Sequence, residues 1–223
     1  MSIQARKAEV REFFLKRDLE AVTDWAETVR NPLRILISLS YDSDELVRWR
    51  AIEAIGKVAG WKAENGLERI RDFVRRLLWQ MNDESGGLAW HSPELIGEIL
   101  VNVPPLAGEF APLLLSYLKE EPFEKGAHYA VCRVAQFHPK AFGDDVSPLF
   151  ESLTDPAPSI RGLAALALGF LESKAALTRI EELRHDPATV SLYDYRTAQF
   201  VQTTVGRLAH KALNKDESSE QAA

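Results

Sequence analysis

Four side chains invite a chemical reading before any fold is considered. In "GGLAWHSPELIGEIL", residues 86–100, His91, Glu94 and Glu98 stand at i, i+3 and i+7, which lines them along one side of a helix. His128 falls in a comparable segment further on. Imidazole and carboxylate together suit iron, manganese or zinc. His-x-x-Glu with one further Glu nevertheless lacks the paired motif of a di-iron bundle. Polar recognition of a partner by the same residues is therefore placed above metal binding. A purely structural helix start competes with both: Ser92 caps, Pro93 opens the first turn, Glu94 meets the positive helix end and Trp90 plugs the core. No metal ligand, cofactor or catalytic residue is assigned.

Other constellations carry less. Arg69, Arg71, Arg75 and Arg76 with Arg48 and Arg50 form a basic region able to meet phosphates, but Glu64, Glu68 and Asp72 interleave with them and favour a solvated helix face. Tyr193, Asp194, Tyr195 and Arg196 either cap a binding groove or simply begin a helix. His138, His185 and His210 stand without a sequence partner, and G-x-S-x-G, P-loop, G-x-G-x-x-G and H-E-x-x-H are all absent.

The elements that must position these groups follow from composition and repetition. With 223 residues, 46% hydrophobic and 27% charged, the chain has enough apolar material for a sizeable core. Its net charge of -6 opposes generic polyanion binding, because each phosphate contact needs a cation. Residues 1–80 carry 15 Lys/Arg against 13 Asp/Glu, and the remainder 12 against 20, so any basic patch belongs to the first part. The apolar run "GLAALALGFL", residues 162–171, is too short to span a bilayer, and Met1–Val10 lacks the apolar stretch of a signal peptide, so the expected location is the cytoplasm. Cys132 is the only cysteine and reads as a small buried hydrophobe.

Small residues recur at Gly56, Gly97, Cys132, Gly169 and Gly206, at spacings of 41, 35, 37 and 37, a solenoid period. Before them lie apolar segments such as "PLRILISLSYD" and "APLLLSYLKEE". Val47, Ala51, Ala54, Ile55 and Val58 follow the helical i, i+4, i+7, i+8, i+11 pattern and predict one buried face. Asn31-Pro32, Ser92-Pro93, Ser147-Pro148 and Asp186-Pro187 read as N-caps followed by proline in the first turn. Sustained period-2 alternation is missing, and no sheet is expected.

An apolar helix, an Asp-containing turn and "VR-x-x-A-x-x-A-I-G" together resemble the HEAT repeat, especially the short type of phycobilisome lyases; residues 148–171 and 36–60 match best. The resemblance implies an all-α fold, an α-α superhelix of about five helical hairpins (31–60, 64–103, 107–137, 142–171 and 173–213) after N-terminal helices. These form a single domain over 1–213 with a disordered polar tail at 214–223. It also implies that turn Asp and second-helix Arg bond between neighbouring units, with Asp42 or Asp44 and Arg48, and Asp155 and Arg161, as candidates. Second helices of such repeats line a concave groove. Trp49, Arg50, Glu53, Trp90, His91, Glu94, Glu98, His128 and Tyr129 are the expected row on it. The function expected is a non-enzymatic scaffold or adaptor for another protein or peptide, with no membrane and no nucleic acid. The alternative is a HEAT-like enzyme or enzyme subunit, resembling a tetrapyrrole lyase or a DNA glycosylase.

Overall fold

A computed structural model describes residues 2–82 and 90–214. The Gly86-Gly87 insertion and the tail from residue 215 lie outside the described residues. The described residues form twelve α-helices and one two-stranded sheet, and their contacts divide them into two compact units. The first comprises Met1–Leu106 with Tyr193–Phe200, and the second Ala107–Leu192 with Val201–Ala223.

In the first unit α1 (Ile3–Leu15), α2 (Leu19–Thr28), α3 (Pro32–Leu39), α4 (Glu45–Ala63), α5 (Leu67–Met81) and α6 (Ser92–Asn102) follow one another. Asp44 starts α4 by accepting from the backbone N–H groups of Leu46 and Val47. Along α4 the predicted face Val47, Ala51, Ala54, Ile55 and Val58 is buried, and α4 packs chiefly on α3 and α6. Gly56 lets α6 approach, since a Cβ there would lie 2.7 Å from both Asn102 Nδ2 and the Glu98 carbonyl oxygen. Asn31-Pro32 opens α3 and Pro93 stands in the first turn of α6, but the buried Ser92 hydroxyl does not cap it and has no hydrogen-bond partner among the described residues.

After α7 (Pro104–Leu114), the second unit is built from α8 (Glu124–Phe137), α9 (Pro148–Ser152), α10 (Pro158–Phe170), α11 (Leu177–Glu182) and α12 (Val205–Leu213). The second helices α8, α10 and α12 pack in series. At Gly169 a Cβ would stand 2.6 Å from the Ala212 Cα, which explains a small residue at that register position.

Two expectations are corrected. Residues 189–204 form a β-hairpin, β1 (Thr189–Asp194) and β2 (Gln199–Thr204), where a helix and no sheet were expected. Thr, Val, Tyr and Phe dominate both strands and suit a pleated surface better than a helix. Asp194 holds the turn by accepting from the Arg196 N–H at 3.0 Å and the Thr197 hydroxyl at 3.1 Å. Asp186-Pro187 accordingly leads into a strand. The second correction concerns the Asp–Arg staples. Arg48 and Arg161 each donate to the carbonyls of their own turns, Asp42 and Ser43 for one, Asp155 and Pro156 for the other. The carboxylate pairings differ from those expected: Arg161 donates to Asp186 at 2.8 Å, Arg48 lies 3.9 Å from Glu45, and Asp42 takes the Arg11 guanidinium at 2.9 and 3.2 Å. Reaching down one's own turn satisfies its last carbonyls, while the Asp side chains bond elsewhere: Asp42 to Arg11, Asp44 to the Leu46 and Val47 N–H groups, and Asp155 to the Ala157 N–H.

Candidate functional site

The expected row divides into buried side chains that bond to the protein itself and a few that meet solvent. Arg50, Glu53 and Glu98, on α4 and α6, are 2, 3 and 1% exposed. Charged groups this deep are unfavourable unless paired and hydrogen-bonded. Their partners are in the hairpin tip, residues 193–200. The Tyr193 hydroxyl donates to Glu53 Oε2 at 2.8 Å, and the Tyr195 hydroxyl to Glu98 Oε1 at 2.5 Å. Arg50 donates through Nε and one terminal nitrogen to the Ala198 carbonyl at 3.1 and 2.8 Å, and through the other to the Phe14 carbonyl at 2.5 Å. Lys57 completes the balance with an ion pair to Glu53 Oε1 at 2.8 Å. Burial, followed by the charge and hydrogen bond of Glu53, pushes the Tyr193 hydroxyl far above its ordinary range, so it acts as a donor throughout neutral pH.

Above these pins lies an aromatic platform. Trp49 stacks on Tyr193 with ring centroids 5.6 Å apart and planes at 18°. Phe200 meets Trp49 and Tyr193 edge-on at 6.1 and 5.9 Å, and Tyr195 meets Tyr193 edge-on at 5.1 Å. Tyr193 is buried, Trp49, Tyr195 and Phe200 are half-buried, and Arg196 at the turn is exposed. The result is a rigid, partly exposed group of aromatic rings beside an arginine.

Ahead of α6, Trp90 is 61% exposed and therefore does not plug a core. His91 is half-buried; its Nδ1 lies 3.4 Å from Glu94 Oε1 and its ring 5.5 Å from that of Tyr41. Glu94 is buried, and its Oε2 has no hydrogen-bond partner among the described residues. In the second unit His128 is buried between the Glu124 carbonyl and the Ser152 hydroxyl, each at 2.7 Å. Burial lowers its pKa against the opposing pull of that carbonyl, favouring the neutral ring. Tyr129 is buried beside it in sequence.

Glu98 is thus engaged by Tyr195 and His128 by Ser152. Among the described residues no three His, Cys, Asp or Glu side chains gather as a metal site. The nine residues of the expected row do not present one continuous polar surface. Arg50, Glu53, Glu94, Glu98, His128 and Tyr129 are interior: within the first unit α4 packs on α3 and α6, and within the second α8 packs on α10. Sequence reasoning missed Ala198 and Phe200 as part of the platform. The signal was present in the aromatic and β-branched residues around Asp194.

The chain belongs to the same family as an uncharacterized protein of Archaeoglobus fulgidus, to which it is 32% identical over 162 residues, covering 71% of this chain and 84% of the archaeal one. No family model matches. In fold it is similar to armadillo repeat proteins computationally designed for modular peptide recognition, with TM-score 0.51, 18% identity and 92% of each chain covered. A designed armadillo repeat protein in complex with the peptide (KR)4 matches at TM-score 0.51 and 17% identity, over 90% of this chain and 93% of that one. The fold is therefore all-α and of the HEAT/armadillo-like repeat class, with the hairpin as a local departure. No helix among the described residues is long and apolar enough to cross a membrane.

Proposed function

We propose that the protein is a non-enzymatic interaction scaffold that holds a partner protein or peptide on its first unit. The observation that carries this reading is the aromatic platform of Trp49, Tyr195 and Phe200, pinned from beneath by Arg50, Glu53 and Glu98. Three buried charged residues are a costly way to fix a surface hairpin if its tip has nothing to present. Tyr, Trp and Arg are the residues enriched among interface hot spots, and a platform already rigid loses little entropy on binding. Trp90, His91 and Arg196 extend the contact, while the buried members of the row support it. The shared fold with proteins designed for peptide recognition is consistent with this use of the surface.

Affinity capture from a lysate of the source organism tests the proposal with three forms of the full chain: unaltered, Trp90→Ala and Arg196→Glu. Both side chains are exposed, so helical circular dichroism should stay unchanged. A stoichiometric partner held by the unaltered chain and lost from both variants is the expected result. Retention by both contradicts the proposal.

A further inference from the structure

The first unit contains a cavity of about 820 Å³ that none of the foregoing uses. Its walls come from the α2–α3 junction, the end of α4, one side of α5 and the start of α6. Five cations line it, Arg30, Arg34, Lys62, Arg69 and Arg76, and among the described residues no carboxylate does. None of these four arginines has an ion pair or side-chain hydrogen bond among the described residues. Arg71 and Arg75, on the same helix but outside the lining, pair with Glu68 and with Asp72 at 3.6 Å. The acidic residues that interleave with α5 in the sequence thus neutralise the other arginines and leave the cavity wall cationic.

Three further features point to an occupant. Tyr41, Trp61 and Phe73 bring half-buried aromatic surface into the lining, and Lys62 lies 4.8 Å from the Trp61 ring centroid. Ser92, 1% exposed, contributes to the same lining a hydroxyl that has no hydrogen-bond partner among the described residues. Arg30, Arg34, Arg69 and Arg76 are exposed, so positive charge surrounds a lining whose buried members are Pro32, Ile70, Leu77, Ser92 and Leu95. Like charges gathered this way repel one another unless an anion neutralises them, and the planar guanidinium fork matches phosphate oxygens in pairs. The volume lies within the range of about 300 to 1,000 Å³ typical of small-molecule sites.

We propose that this cavity binds a small polyphosphorylated ligand, its phosphates on the arginines and any planar group on the aromatic wall. The proposal stands apart from the scaffold reading, since it uses none of the platform residues. Isothermal titration of the full chain with ATP, and separately with inorganic triphosphate, at about 0.15 M salt tests it. The two probes share the phosphate chemistry and differ in the ring. Binding of either supports the site, and tighter binding of ATP assigns the aromatic wall to the ring. Arg69→Ala with Arg76→Ala should weaken binding at least about tenfold, while Arg71→Ala with Arg75→Ala should change it less than about twofold. Circular dichroism checks that both variants remain folded. No binding of either probe up to about 1 mM overturns the proposal. So does an equal loss in the two double variants, which would mean diffuse attraction to a basic helix.

Discussion

At the scale of single residues, His128 shows how an expected ligand becomes an internal bond. Both ring nitrogens are occupied, by the Glu124 carbonyl and the Ser152 hydroxyl, and burial keeps the ring neutral. The folded pKa is depressed, so the unfolded chain binds the proton more readily than the folded one below the ordinary value of 6.5. Stability associated with this group is full above that value and declines as pH falls toward the folded pKa. Urea midpoints measured between about pH 7.5 and 5.5 should fall on acidification, and His128→Gln should flatten that dependence. An unaltered slope in the variant would mean that other groups carry it. Cys132 is a parallel case: burial pushes its thiol up to about 12, consistent with the hydrophobic role its solitary position implied.

At the scale of elements, contact between second helices sets what each can tolerate. Gly56→Ala should raise intrinsic helix propensity by about 1 kcal/mol. The added Cβ would nevertheless meet the Glu98 carbonyl oxygen at 2.7 Å, and that oxygen belongs to the α6 backbone and cannot rotate away. Overpacking of about 1 to 3 kcal/mol should outweigh the gain and lower the urea midpoint. A more stable variant would show that α4 and α6 are not so closely packed. The small residue was legible at Gly56 because periodicity and spacing place it on the buried face. The hairpin was not legible in the same way. Its strands alternate only weakly in polarity, and their register comes from Asp194 and from bonds to residues some 100 to 150 positions away in the chain, such as Tyr193 to Glu53 and Tyr195 to Glu98.

At the scale of the whole molecule, helical class was readable from local pattern, whereas the placement of charge was not. Arg50, Glu53 and Glu98 looked like a polar face because charged side chains on a helix are expected to meet solvent. Burial of that face needs a hairpin far off in sequence. The basic cavity was hidden for the converse reason. Glu68 and Asp72 balance the arginines of α5 in the sequence, and only the fold shows that they pair with Arg71 and Arg75 while Arg69 and Arg76 line a cavity. The two roles proposed for the first unit, a platform for a partner and a pocket for an anion, rest on different residues.

The central claim is that the pinned platform is the surface that binds. Its most direct test is the affinity of the captured partner for the Tyr193→Phe, Tyr195→Phe double variant, measured by isothermal titration. These changes keep every ring and remove only the hydroxyls that reach Glu53 and Glu98. The account predicts affinity lower by at least about tenfold with helical circular dichroism retained, because the rings lose the bonds that hold them in place. Unchanged affinity would contradict it and place the partner elsewhere on the molecule.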